Sequence, residues 1–328
     1  KYYNFLKFGL VKKVIIFVED HRWRVDGNFI KKKFETKYGN MYLMRGEKKF
    51  SYINSDPEFN YVYCWSKWWD CEKLKNKFVI VNPMFNGISH KNYIKEKYHH
   101  FALLEGYQFA KYLPKKIPYS IYRPICYDHE NHTLNNFQSK IYDWIMISSF
   151  DPRKRHIEFL KTLKNSNSYN FKGCIIGRDP NNKKNKEFSL LRLTPTRVLK
   201  KIQKIQKEIN FDLFLNVDQK TKIDLTLKSK VFVCTSKLDN GPRSQIEASQ
   251  LKIPVLSMPH IGASEIISKD NLNGKLFTNF SDIPNILNSM INNITEYTCN
   301  ENRKILDPKS FMPDIVKKIK YFSENFLK

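Results

Sequence analysis

The chain has 328 residues and carries 57 Lys and Arg against 32 Asp and Glu, a formal net charge of +25. That length suits two domains of ordinary size, and a hydrophobic share of 41% with 24 Phe and 18 Tyr excludes wholesale disorder. No apolar run approaches the ~20 residues of a membrane-spanning helix, and the opening "KYYNFLKFGLVKKVIIFVED" has too short an apolar stretch and no small-residue cleavage site for a signal peptide.

In chain order, "KKVIIFVED" reads as a strand and "GNFIKKKFETKYG" as a helix closed by Gly39 as its C-cap. "MYLM", "YVYCW" and "KFVIV" read as strands, "HKNYIKEKYHH" as a helix, "FALL" as a strand, "EGYQFAKYL" as a helix and "IPYSIYRPI" as a strand. The polar stretch 126–140, "CYDHENHTLNNFQSK", lacks periodicity and reads as a linker. It divides a domain over 1–125 from a second over 141–305, and 306–328 forms a separate amphipathic helix with Ile315, Ile319 and Phe322 on one side.

The second half is the more regular. "YDWIMISSF", "FKGCIIGRD", "FDLFLNV", "KVFVCTS", "IPVLSM" and "GKLF" are apolar strands. Between and after them lie helical segments: "PRKRHIEFLKTLKN", "TPTRVLKKIQKIQKEIN", "QKTKIDLTLKS", "GPRSQIEASQLK" and "SDIPNILNSMINNI". Within the second of these, Val198, Ile202, Ile205 and Ile209 repeat at four, three and four residues, a helical stripe. Strands this apolar, alternating with amphipathic helices, indicate a parallel sheet covered on both faces. Right-handed crossovers then leave an α/β, Rossmann-like doubly wound domain.

Ligands of such sheets bind at the carboxyl ends of the strands. Asp239 follows "KVFVCTS", Asn240 and Gly241 make a turn, and Pro242 takes the first helical position. Glu247 lies two turns in, on the face it shares with Arg243, and the N–H groups from Gly241 to Ser244 offer an anion site. A diphosphate on that helix start, flanked by sugar and ribose hydroxyls that donate to Asp239 and Glu247, satisfies the whole layout. Alternatively, Asp239 caps the helix and Glu247 pairs with Arg243.

The stretch "TSKLDNGPRSQIEASQLKIPVLSMPHIGASEIIS…NGKLF" resembles the donor-binding segment of retaining GT-B glycosyltransferases of the glycosyl transferase group 1 (GT4-like) family. That family shows an acid, seven residues and Glu-Ala, then a Pro-Val strand, a Gly-rich loop with an acid, and Asn-Gly before a strand. Here these are Asp239, Glu247-Ala248, Pro254-Val255, Gly262 with Glu265, and Asn273-Gly274. Asp stands where the commoner first residue is Glu. "ISSFDPRKRHIEFL" is similar to the family's phosphate-holding turn, with Lys154 matching its Lys and Ser149 standing where an Arg is usual; Arg153, Arg155 or Arg243 are the candidates to replace that cation. Gly177 and Arg178 match a glycine turn, and Val217 the base-contacting strand end. The first half matches less: Gly27 is the one glycine in the loop after the first strand, His21, Arg22 and Arg24 are acceptor or phosphate candidates, and the Trp65, Trp68 and Trp69 cluster offers stacking on a sugar or core packing.

The resemblance implies two Rossmann-like domains facing a central cleft, with the terminal helix crossing back to the N-terminal domain. It implies transfer of a sugar, with retention, from a nucleotide-diphosphate sugar to a hydroxyl acceptor, whether glycan, lipid-linked or protein-linked. Asp239, Lys154 and His21 would serve catalysis, without metal or other cofactor. Two alternatives stand beside it: a catalytically silent GT-B-like module that binds glycan or a partner, and a non-hydrolysing sugar-nucleotide epimerase. The six cysteines show no zinc spacing and fit a reduced, cytoplasmic setting. Without an arginine block or a nucleic-acid motif, the charge is not expected to serve nucleic acid; it also admits peripheral contact with an anionic membrane.

Overall fold

The computed structural model describes residues 13–17, 30–36, 39–45, 48–56, 61–65, 73–82, 97–104, 107–121, 139–166, 170–181, 193–236, 243–259, 273–297 and 308–327. The chain divides into two compact units, Lys1–Pro124 with Asp307–Lys328, and Ile125–Leu306.

The first unit holds a seven-stranded sheet. Its strands are β1 (Lys13–Phe17), β2 (Ile30–Thr36), β3 (Gly39–Arg45), β4 (Tyr61–Trp65), β5 (Phe78–Asn82), β6 (Phe101–Leu104) and β7 (Tyr119–Ile121), in the order β2-β3-β1-β4-β5-β6-β7. Every neighbouring pair is parallel except β2 and β3, which run antiparallel with Ile30 opposite Arg45 and Thr36 opposite Gly39. The described core residues of β5 and β6 are buried without interruption, Phe78 to Val81 and Phe101 to Leu104, as a sheet covered on both faces requires.

Three expectations for this half change, and one helix lies where none was expected. Residues 30–36 are a strand, not a helix. The four-residue spacing of Ile30 and Phe34 imitates a helical repeat, but the segment pairs along its whole length with β3, and Gly39 opens β3 rather than capping a helix. A lysine-bearing strand suits this position, since β2 lies at the sheet edge where charge discourages pairing with another chain. The segment 107–112 is a 3-10 helix. A helix with no sequence expectation, α1 (Lys48–Ser55), buries Ile53. Most of "HKNYIKEKYHH" lies outside the described residues, and its described end, 97–100, is not helical.

The C-terminal helix, which we number α7 (Pro308–Leu327), belongs to this unit. It buries Met312, Ile315, Val316 and Ile319. The Phe322 ring meets Phe101, Phe326 packs on Phe78 and His100, and Ser323 Oγ lies 2.8 Å from the Tyr61 hydroxyl. His100 accepts the Val79 N–H on Nδ1 at 2.9 Å. Burial, reinforced by His99, holds its pKa down at about 4, so the ring is neutral under that helix. Among the described residues no helix is long and apolar enough to cross a membrane.

The second unit is one parallel sheet. Strands β8 (Tyr142–Ile147), β9 (Gly173–Gly177), β10 (Phe211–Leu215), β11 (Ser229–Cys234), β12 (Val255–Ser257) and β13 (Gly274–Leu276) lie in the order β10-β9-β8-β11-β12-β13. Numbered from the first strand of the unit this is 3-2-1-4-5-6, the doubly wound order. Its helices are α2 (His156–Asn165), α3 (Leu193–Ile205), α4 (Gln219–Leu227), α5 (Arg243–Gln250) and α6 (Ile283–Asn292). Alternate strand residues feed two cores. Met146, Ile175, Val231, Val233 and Leu256 join Phe159 and Leu160 of α2, Ile202 of α3 and Leu287 of α6. Ile145, Cys174, Ile176, Phe232 and Val255 join Leu225 of α4 and Ile246 of α5. The Val198–Ile209 stripe packs as its spacing requires, with Ile202 fully buried at its centre.

Candidate functional site

The strand order reverses between β8 and β11, so ligand-binding loops gather at their carboxyl ends. The loop after β8 begins at Ser148, whose N–H extends the ladder to Ile176 O at 3.1 Å. Phe150 is buried beyond it, and Asp151 caps the 3-10 turn Pro152–Lys154 by accepting the Arg153 N–H. Arg155 then adopts a left-handed conformation (φ 55) that turns the chain into α2. After β11, Thr235 and Ser236 are buried, and α5 starts at Arg243.

Two hydroxyls tie these loops together. Thr235 Oγ1 donates to Lys154 O at 2.5 Å, and Ser244 Oγ donates to Ile147 O at 2.8 Å. The first turn of α5 is thereby fixed beside the end of β8. The neighbouring strand ends are fixed similarly: Asn216, also left-handed (φ 56), donates its N–H to Gly177 O and accepts the Asp179 N–H, both at 3.0 Å.

Ser149 is exposed after β8, Lys154 closes the turn half-buried, and Arg178 is exposed past β9. Gly177 is buried, and its role is space: a Cβ there would stand 2.3 Å from Phe150 Cζ. Val217 packs half-buried against the core that holds Phe232 and Ile246. Arg243 is exposed and Ser244 half-buried at the head of α5. Asp239, Asn240, Gly241, Pro242, Gly262, Glu265, His21, Arg22, Arg24 and Gly27 lie outside the described residues, as do Trp68 and Trp69. Trp65 ends β4, paired with Asn82.

Glu247 has a partner other than the Arg243 of the alternative reading. Its Oε2 accepts from Lys222 Nζ of α4 at 2.7 Å, with the two side chains 13% and 19% exposed, rather than pairing along the helix with Arg243. Residues 25 apart in sequence meet because α4 and α5 cover the same sheet face, which no local spacing reveals. Arg153 and Arg155 hold partners within the second unit. Arg153 grips the Asp151 carboxylate with Nε and Nη2, at 3.0 and 2.7 Å from its oxygens, and that contact holds the Asp151 pKa down. Arg155 lies 4.2 Å over the Phe280 ring, pairs with Glu158 at 3.1 Å and donates to Met258 Sδ.

Sequence reasoning missed His156, the first residue of α2. Only 1% of it is exposed, its Nε2 lies 2.9 Å from Ser148 Oγ, and its Nδ1 meets no partner. Burial, then the charge of Lys154, holds its pKa down at about 4. Among the described residues no group of three His, Cys, Asp or Glu could hold a metal ion. The backbone of Lys154 and the head of α5 thus belong to two loops that the Thr235 and Ser244 hydroxyls tie together, with Glu247 fixed by Lys222 further along α5.

Two α/β units in one chain, one with a wholly parallel sheet and one parallel but for its β2–β3 edge, match the GT-B fold class. Solved structures share this fold. A UDP-forming α,α-trehalose-phosphate synthase from Burkholderia xenovorans aligns with a TM-score of 0.66 at 9% identity, over 95% of this chain and 100% of that one. A sucrose-phosphate synthase from Thermosynechococcus elongatus aligns at 0.62 and 11% identity, over 95% and 88%. TarM aligns at 0.57 and 19% identity over 80% of this chain and 54% of its own, so the chain spans about half the length of TarM. No curated protein matches it in sequence. The family model of glycosyl transferases group 1 matches residues 129–305, more than half of the chain, and the chain belongs to that family.

Proposed function

We propose that this protein is a retaining glycosyltransferase that moves a sugar from a nucleotide-diphosphate sugar to a hydroxyl acceptor. The carrying observation is the placement of α5. Its head is bonded to the end of β8 at the sheet's reversal point, and it bears the motif's Glu247 on a fixed carboxylate. In this reading the diphosphate rests on the α5 N–H groups and Lys154, Glu247 accepts from the ribose, and Asp239 orients the transferred sugar. The bond from the anomeric carbon to the phosphate oxygen breaks, the electron pair leaves on the diphosphate, and the cations meet the new charge. The acceptor hydroxyl adds to the anomeric carbon and its proton passes to the departing phosphate. Gly27, Arg22, Arg24 and Trp65 serve the acceptor side, His21 serves catalysis with Asp239 and Lys154, and no metal is required.

Fold neighbours support the ligand class: a pneumococcal O-GlcNAc transferase forms a complex with UDP and GlcNAc, and an S. aureus TarM variant one with UDP. The test is thermal stability against a panel of nucleoside diphosphates and their sugars, with no metal added. A ligand at ~100 times its Kd adds ~2.7 kcal/mol, a shift of several degrees. A rise confined to one base establishes the donor class. A flat panel from folded protein refutes the reading, and a changed nucleotide sugar released without acceptor would indicate epimerisation instead.

A further inference from the structure

Ser148, half-exposed, and the buried His156 are not among the positions that the resemblance assigns a role, yet the pair sits where the sheet reverses. A neutral imidazole carries one N–H. If His156 carried it on Nδ1, that donor would be buried with no acceptor, a rare and costly state. On Nε2 it is satisfied, since it points at Ser148 Oγ 2.9 Å away, and only a lone pair on Nδ1 goes unused. The ring is neutral because burial and Lys154 both oppose a second proton, with Asp151 the weaker opposing influence. Ser148 Oγ is therefore the acceptor in this bond, and its own O–H hydrogen is left to point elsewhere. The neighbouring hydroxyls are committed differently, Thr235 to Lys154 O and Ser244 to Ile147 O. Ser148 is half-exposed at the end of β8, beside the head of α5.

We propose that His156 is a positioning residue: its Nε2–H holds Ser148 so that the Ser148 hydroxyl donates to a diphosphate oxygen of the bound donor. This rests on the donor site proposed above. It gives the chain a neutral donor in the loop where Ser149 stands in place of the family's usual arginine.

Calorimetric titration of the wild-type protein with UDP, GDP, ADP, CDP and dTDP, then of variants with the tightest binder, tests it. A hydrogen bond to a charged group implies that Ser148→Ala weakens that diphosphate about tenfold or more, while affinity for the matching nucleoside without phosphate stays put. His156→Phe should cost a similar factor in the wild-type background and nothing further in Ser148→Ala, because the two act through one bond. His156→Gln, which returns an N–H, should recover part of it. Ring nitrogen NMR of the free protein gives a second readout that needs no variant, and the Nε2–H tautomer is expected. Unchanged diphosphate binding in Ser148→Ala, an equal loss for the bare nucleoside, or an Nδ1–H tautomer would overturn the proposal while leaving the donor site standing. Failure of all five nucleotides to bind the wild-type protein would overturn the donor site and this proposal with it.

Discussion

Gly177→Ala links the packing of the second unit to its site. The added Cβ would lie 2.3, 2.7 and 2.9 Å from Cζ, Cε2 and Cε1 of Phe150, whereas carbon contacts settle at about 3.5–4.0 Å. The ring must therefore retreat by roughly 1 Å, and Phe150 is fully buried with His156 5.6 Å away. Overpacking of this kind costs about 1–3 kcal/mol. At about 2–4 °C per kcal/mol for a unit of this size, melting should fall by about 2–12 °C in differential scanning calorimetry. Because Phe150 anchors the loop that leads to Lys154, nucleotide affinity should fall as well. Phe150→Leu added to Gly177→Ala frees space and should return part of both losses. A Gly177→Ala protein that melts within a degree of wild type would refute the packing argument. One that melts lower but binds nucleotide unchanged would refute its connection to the site.

Three further outcomes are expected. Gly274 has φ +150 and its missing Cβ would overlap the Val255 carbonyl oxygen at 2.0 Å, so Gly274→Ala should destabilise more than Gly177→Ala in the same calorimetry, since backbone cannot give way as a ring can. Glu247→Ala should weaken nucleotide binding by an order of magnitude or more, and Lys222→Met by about 3–10-fold, the worth of one ordinary hydrogen bond; titration calorimetry separates the two. His156 has its folded pKa lowered from 6.5 to about 4, so the unfolded chain takes up its proton first as pH falls. Its contribution is whole above pH 6.5 and declines toward pH 4 by about 3 kcal/mol at most; urea unfolding at pH 7.5 and 4.5 should show a difference that His156→Gln reduces.

The second unit is largely readable from sequence because its strands are mostly apolar and helices such as α3 and α6 carry a 3.6-residue stripe, so local pattern and tertiary demand agree. β2 was not, because Ile30 and Phe34 flank three lysines, and only the neighbouring β3 decides between strand and helix. α1 offered too few apolar positions in eight residues for a pattern to register. At the site, Lys154, Ser244 and Glu247 carry a motif and could be found. Lys222 and His156 could not: one acts through packing between helices, and the other is a histidine whose burial and orphaned nitrogen exist only in three dimensions. Nor does a sequence announce that Arg153 grips Asp151, or that Arg155 lies over Phe280 and pairs with Glu158.

The first unit is completed by α7, Pro308–Leu327, which follows the second unit in sequence. Ser323 meets Tyr61 across 262 positions, and Phe322 and Phe326 close over Phe101, Phe78 and His100. During synthesis the second unit, contiguous over Ile125–Leu306, can bury both faces of its sheet as soon as it leaves the ribosome. The first must wait, with the apolar cover of β5 and β6 unfinished, until α7 emerges. The first unit can therefore close completely only after the second has been translated, and until then its uncovered apolar surface is open to aggregation.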